Sequence, residues 1–257
     1  MANVTGKLYV VGLGPGNAEQ LTPEAQAACT SADELFGYGP YLDRVPVSTT
    51  QRRHASDNRQ EIQRAEEALR TAFDGKTVAV VSGGDAGVFG MAAAVCEALE
   101  QGPALWRQID IAIVPGVSAM LAVAASVGAP LGHDFCAISL SDNLKPWSVI
   151  EQRLELAAKA GFVIALYNPI SRARPWQLDR AFEKLGSVIP GNTPVVFGRA
   201  VGRPDERIAI TRLAEAHGGL ADMATCVIVG SAETRLLERP GSTPLVYTPR
   251  GTLRPAA

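Results

Sequence analysis

Glycine gathers at a few places in this chain, and each gathering follows an apolar run. Gly12-Leu13-Gly14-Pro15-Gly16 closes the first run, Ser82-Gly83-Gly84-Asp85-Ala86-Gly87-Val88-Phe89-Gly90-Met91 a second, and Pro115-Gly116-Val117-Ser118-Ala119-Met120 a third. Tyr167-Asn168-Pro169 and Phe197-Gly198-Arg199-Ala200 end two more. Glycine lets bare backbone approach a ligand, and the ends of strands in α/β folds line the ligand crevice. A phosphate cradle is disfavoured at Gly12–Gly16: the spacing is G-x-G-P-G rather than G-x-G-x-x-G, and no helix N-terminus follows at once to hold an anion. Bare backbone at Gly84 suits an amino-acid carboxylate, an amine or a ribose, and Val88 and Phe89 offer an apolar wall. Packing gives no evident reason for four glycines between Ser82 and Met91. Asp85 reads either as a helix N-cap or as a working carboxylate.

Other chemistries find little support. His54, His133 and His217 form no H-x-x-x-H or H-E-x-x-H pattern, and Cys29, Cys96, Cys136 and Cys226 form no C-x-x-C pair, so no metal is expected and the thiols read as buried or inert. Ser82 and Ser118 lack the G-x-S-x-G elbow of a serine hydrolase. The formal net charge of −2 creates no field that would draw nucleic acid. No apolar run approaches the roughly 20 residues that span a bilayer, and Met1 to Lys7 carry no leader pattern, so a cytoplasmic protein without membrane association is expected.

The elements that must position these segments follow from periodicity. Apolar runs rich in Val, Ile and Leu alternate with stretches of helical period, the pattern of βα units around a largely parallel sheet. Strands are expected at 8–13, 34–37, 77–82 and 109–114, and helices from Pro23, where Thr22 caps and Glu24 follows, at 58–73 and at 88–101. After Pro115-Gly116 the pattern restarts with a helix at 118–127 and strands at 135–140, 162–167, 194–199, 207–211, 225–230 and around 245–247. Helices are expected at 148–160 and 177–185, and Gly202-Arg203-Pro204-Asp205 reads as a hairpin turn. The expected architecture is two α/β domains, 1–115 and 116–257, the second with a mixed sheet and the ligand cleft at the junction.

As a set and in this order, GLGPG at 12–16 with Leu21-Thr22-Pro23, SGGDAGVFGMA at 82–92, VPGVSA at 114–119 and YNP at 167–169 resemble the tetrapyrrole methylases, the family of cobalamin and sirohaem ring methyltransferases. The match covers about residues 7 to 250. Gly37-Tyr38-Gly39-Pro40-Tyr41, Ser139 to Trp147, and Tyr167-Asn168-Pro169 with Ser171-Arg172 are similar to the C17-methylating, ring-contracting branch. The resemblance implies a homodimer that takes S-adenosylmethionine as methyl donor, releases S-adenosylhomocysteine, and acts on a corrin-precursor tetrapyrrole. It places Gly84, Asp85, Val88, Phe89, Ser118, Ala119, Tyr167, Asn168, Arg199, Ala200 and Thr225 at the cofactor. It turns Gly14, Pro15 and Gly16, with Tyr38 and Tyr41, to the tetrapyrrole. Many relatives carry a carboxylate directly after the glycine turn, where this chain has Asn17.

Ring contraction asks for a base to take a hydroxyl proton, and Asp85, Asp142 and His133 are the candidates. The substrate's carboxylate arms need local cations. Arg172 with Arg174, and Arg52-Arg53-His54, are the two loop clusters that offer them. Three other readings compete. A sister methylase would act at another ring carbon. A tetrapyrrole carrier would bind no S-adenosylmethionine. A nicotinamide oxidoreductase would need an acid at the end of the second strand, where Gly37-Tyr38 stand.

Overall fold

Leu8-Tyr9-Val10-Val11 and Val78-Ala79-Val80-Val81 have no polar face to give to water, so a strand built from either must be covered on both sides. The computed structural model, which describes residues 6–57, 59–171 and 173–251, shows that arrangement. The chain divides into two units, Met1–Ala119 and Met120–Ala257, four residues beyond the break expected at 115/116.

In the first unit five strands form one parallel sheet: β1 (Lys7–Gly12), β2 (Glu34–Tyr38), β3 (Arg52–Ser56), β4 (Thr77–Ser82) and β5 (Asp110–Val114), in the order β3-β2-β4-β1-β5. Between them run α1 (Pro23–Ser31), the single turn α2 (Gly39–Leu42), α3 (Glu61–Phe73) and α4 (Met91–Gln101). Alternate strand residues serve opposite layers. Leu8, Val10, Val78 and Val80 pack with Leu69 of α3 and Val95 of α4, while Val11, Leu35, Ala79 and Val81 pack with Ala25 and Ala28 of α1. Thr22 caps α1 as expected, its hydroxyl accepting from the Ala25 amide at 3.1 Å.

The second unit carries α5 (Ala119–Val127), which begins at the boundary, then β6 (Gly128–Ala129), β7 (Phe135–Ser139), α6 (Trp147–Lys159), β8 (Val163–Tyr167) and α7 (Gln177–Gly186). Then follow β9 (Pro194–Arg199), β10 (Arg207–Arg212), β11 (Thr225–Val229), β12 (Arg235–Arg239) and β13 (Ser242–Tyr247). Its main sheet, β10-β9-β11-β8-β7, is mixed: β7 and β8 run parallel, and the remaining pairs are antiparallel, including the expected β9–β10 hairpin. Ile164, Leu166, Val195, Phe197, Val227 and Val229 face Leu154 of α6 and Leu178 and Leu185 of α7. A three-stranded sheet, β12-β13-β6, completes the unit. Among the described residues no helix is long and apolar enough to cross a membrane.

Three strands escaped the periodicity, the two-residue β6 among them. β3 reads Arg-Arg-His-Ala-Ser and is held as an edge by its backbone pairing with β2 rather than by an apolar face. β12 is exposed along its whole length. Helix α4 starts at Met91 rather than Val88, because Phe89 has φ +52° and Gly90 is extended, and neither is helical. The start expected for α3, Asn58, lies outside the described residues, and the helix is seen from Glu61.

Candidate active site

β4, β1 and β5 lie side by side and parallel, so their C-terminal ends bring the three glycine turns of the first unit together. Leu13 N–H donates to the Ser82 carbonyl at 2.9 Å, and Gly14 and Gly84 exchange backbone bonds at 3.0 and 2.8 Å. A Cβ on Gly12 would lie 2.8 Å from the Gly116 nitrogen and the Gly84 oxygen, and one on Gly116 would lie 2.4 Å from that same oxygen. Gly83 lies under the Tyr41 ring, 2.7 Å from where its Cβ would be, and Gly84 has φ +69°. Packing therefore requires Gly12 and Gly116, where backbone meets backbone, and, contrary to expectation, Gly83 under the Tyr41 ring, whereas Gly84 has room for a Cβ and is required by its positive φ.

Two side chains lock the turns. Asp85 Oδ1 accepts from Gly87 N–H at 2.8 Å and Oδ2 from Gly116 N–H at 2.9 Å. The N-cap reading of Asp85 is corrected, since Gly90 holds that position. Arg44, unremarked in the sequence, donates from Nη2 to the carbonyls of Leu13 and Gly14 at 2.7 and 2.9 Å. An arginine in a loop carries no mark that separates such a clamp from a solvated charge. Gly84, Ser118 and Ala119 do meet, for a Cβ on Gly84 would lie 3.7 Å from the Ala119 nitrogen and 3.9 Å from Ser118 Cα. Phe89 is 51% exposed despite its aromatic ring. Gly14 and Pro15 are buried and Gly16 half-buried, while Tyr38 and Tyr41, edge to face with centroids 5.5 Å apart, stand half-buried at the same sheet edge.

In the second unit Ser139, Tyr167, Arg199 and Thr225 share one sheet edge, fixed by the registers Ser139↔Tyr167 and Thr225↔Arg199 and by the pairing of β11 with both β8 and β9. Tyr167 Oη accepts from the Met120 amide at 3.0 Å, tying the start of α5 to β8. Asn168 has φ +51° and donates from Nδ2 to Ser139 Oγ at 2.9 Å, a partner the sequence did not mark. Arg199 pairs with Asp222 through Nε and with Asp205 through Nη1, both at 2.7 Å. The bond to Asp205, then that to Asp222, holds its pKa above the ordinary arginine value. Arg199 in turn holds Asp205 below the carboxylate range. Burial works against the same shift in Asp222, but bonds from Arg199, Ala224 and Thr225 prevail. Ala200 has φ +49°. Gly198 is a packing glycine rather than a ligand-facing one, since its Cβ would lie 2.2 Å from Val123 of α5.

The remaining candidates separate. Asp142 stands in the loop after β7, with both oxygens 3.4 Å from Gln177 Nε2 and Oδ1 3.8 Å from Arg174 Nη1. His133 precedes β7, whose opposite end carries the cluster, roughly 20 Å away by strand rise, and its ion pair is with Asp134. It is corrected out of the set of bases. Arg52-Arg53-His54 is strand rather than loop. Arg53 is spent on the carbonyls of Leu42, Val45 and Pro46, and His54 stacks on Phe36 and bonds to Glu34. That cluster is withdrawn as a carboxylate site. Arg172 lies outside the described residues. Cys29 and Cys226 are buried thiols, pushed by burial up to about 11 and about 12, whereas Cys96 is exposed.

Phe89, Asn168 and Ala200 are the non-glycine residues with positive φ among the described residues, and all three belong to the set expected at a cofactor. Such backbone is costly for an L-residue with a side chain and concentrates at functional sites.

Residues 7–217 match the family described as Tetrapyrrole (Corrin/Porphyrin) Methylases. A curated Sinorhizobium protein named precorrin-3B C(17)-methyltransferase is 66% identical over 96% of this chain and 97% of its own length. A probable cobalt-factor III C(17)-methyltransferase of Salmonella typhimurium is 39% identical over 95% of this chain and 98% of its own. The crystal structure of the methyltransferase CobJ superposes with a TM-score of 0.91 at 46% identity, covering 95% of this chain and 100% of the other.

Proposed function

Because the chain belongs to the tetrapyrrole (corrin/porphyrin) methylases, we propose that it moves a methyl group from S-adenosylmethionine to C17 of precorrin-3B, with ring contraction to precorrin-4. The observation that carries the cofactor reading is the left-handed backbone of Phe89, Asn168 and Ala200, strain held at the residues assigned to the cofactor.

The residues fit that molecule. In the first unit the bare backbone of Gly84, with Ser118 and Ala119 beside it, suits the amino-acid and ribose parts, and Val88 and the half-exposed Phe89 give them an apolar wall. In the second unit we assign Tyr167, Asn168, Arg199, Ala200 and Thr225 to the adenine side. Arg199 is already committed to Asp205 and Asp222, so its part is to fix the loop that carries Ala200. Gly14, Pro15 and Gly16, held by Arg44, and the Tyr38–Tyr41 pair are assigned to the macrocycle.

The sulfonium supplies an electrophilic methyl. The protein's contribution at that step is alignment, which suits a site built from clamped backbone. Contraction needs a base. Both oxygens of Asp85 are taken by short bonds from Gly87 and Gly116, so its part is to clip the turns. Asp142, whose bonds from Gln177 are long, is left as the base.

Incubating the purified protein with S-adenosylmethionine and precorrin-3B, then taking mass and absorption spectra, is the test. A ring-contracted product with one added methyl is expected. Methylation at another carbon without contraction, or no heat of binding with S-adenosylmethionine or S-adenosylhomocysteine, overturns the reading. We further propose a cytoplasmic homodimer. Its support is the exposed β12, where Leu236 and Leu237 face solvent in the single chain. Light scattering should give twice the chain mass at micromolar concentration, and a monomer contradicts it.

A further inference from the structure

The loops that follow β7 and β8 leave the same edge of the second unit's sheet, because the two strands are parallel neighbours. Each ends in a helix whose first turn is left open. α6 begins at Trp147 behind Pro146 and α7 at Gln177 behind Trp176, and neither has a side-chain cap. The indoles of Trp147 and Trp176 meet edge to face at 4.9 Å between centroids, so the two helix starts lie side by side with their amides unclaimed by side chains.

Around them, three buried polar atoms have no hydrogen-bond partner: Trp147 Nε1, Arg174 Nη1 and Gln177 Oε1. Gln177 is only 1% exposed, so its acceptor is aimed into protein rather than water. A buried group left in that state costs about 1–3 kcal/mol, and three in one loop pair call for a ligand that satisfies them. Arg174 is 3.8 Å from Asp142, close enough for attraction but too far for a hydrogen bond. Asp179, in the first turn of α7, is engaged by the Gly218 amide at 2.6 Å, which leaves Asp142 as the carboxylate facing Arg174.

Building on the function proposed above, we infer that Arg174 Nη1 and Trp147 Nε1 bind a carboxylate arm of the tetrapyrrole, at the mouth of α6 and α7. Arginine and indole N–H groups are donors only, so the partner must accept, and Gln177 Oε1 supplies the complementary acceptor for a hydroxyl or N–H of the same molecule. Asp142 restrains Arg174 until the arm arrives and repels that arm by its own charge. Removing Asp142 should therefore tighten binding where a merely structural pair would weaken it.

The test measures affinity for uroporphyrin III, a stable tetrapyrrole with acetate and propionate arms, and KM for precorrin-3B, beside the affinity for S-adenosylmethionine. Arg174→Gln should raise both tetrapyrrole constants about tenfold at low salt, less at high salt, and Trp147→Phe severalfold. Asp142→Asn should tighten uroporphyrin binding severalfold, while its turnover falls through loss of the base. S-adenosylmethionine affinity should be unchanged in all three. Wild-type tetrapyrrole constants in Arg174→Gln at low salt, or weaker binding in Asp142→Asn, would overturn the inference. A drop in S-adenosylmethionine affinity instead would move the carboxylate to the cofactor and overturn it equally. A wild-type protein that transfers no methyl group would defeat the functional reading alone, since uroporphyrin binding by the variants still decides the subsite.

Discussion

At the scale of single residues, Phe89 is the clearest case of local stability given up at the site. Its φ of +52° would suit glycine, and its half-exposed ring gains little from burial. Phe89→Gly should leave the protein as stable or up to about 1 kcal/mol more stable, a rise of a few degrees in Tm. The same change should weaken S-adenosylmethionine binding measurably by calorimetry. A variant that is destabilised by more than that, with wild-type affinity, would return Phe89 to the role of a packing residue. Nothing in the residue names foretold this. The glycines at 83 and 84 marked the loop, but which side chain would be forced into left-handed backbone depended on the path between Ser82 and α4. Asn168 bears the same backbone at less cost, because asparagine tolerates that region better than phenylalanine does.

At the scale of elements, the strand ends are held by two devices that respond differently to perturbation. The backbone crossing of Gly12, Gly84 and Gly116 has no flexible atom to give way. Gly116→Ala should cost about 1–3 kcal/mol or more in urea unfolding, by overpacking against the Gly84 carbonyl. Gly186→Ala, at the end of α7 where a Cβ meets nothing within 4 Å, should gain about 0.5–1 kcal/mol from helix propensity. Equal effects would mean that the crossing is looser than its distances. The second device is the Arg199 clip. The carboxyls of Asp205 and Asp222 have folded pKa values below their ordinary ones, so their contribution is present above about pH 4 and is lost as pH falls through the folded values. Wild type should therefore lose more stability between pH 6 and pH 3 than Arg199→Leu does, and parallel losses would show the clip to be inert.

At the scale of the whole molecule, the thiols report on packing. At pH 8, Ellman's reagent should react with the exposed Cys96 first, while Cys29 and Cys226, buried and with pKa values raised to about 11 and about 12, should react only on unfolding. Rapid labelling of Cys226 would contradict the core described here. The two-unit α/β plan and the mixed second sheet were legible in the order of residues. Apolar runs, strand-end glycines and the Thr22-Pro23 start are local signals, and the motif set is linear. The edge strand β3, the late start of α4, the duty of Asp85 and Arg44, and the misplacement of His133 were not. Each depends on what a residue meets across the sheet or at its far end. An arginine that clamps a carbonyl and one that waits in solvent are written alike. Gly198, packed under Val123, and Gly84, bare beside Ser118, are the same letter, and only the tertiary structure gave them different neighbours.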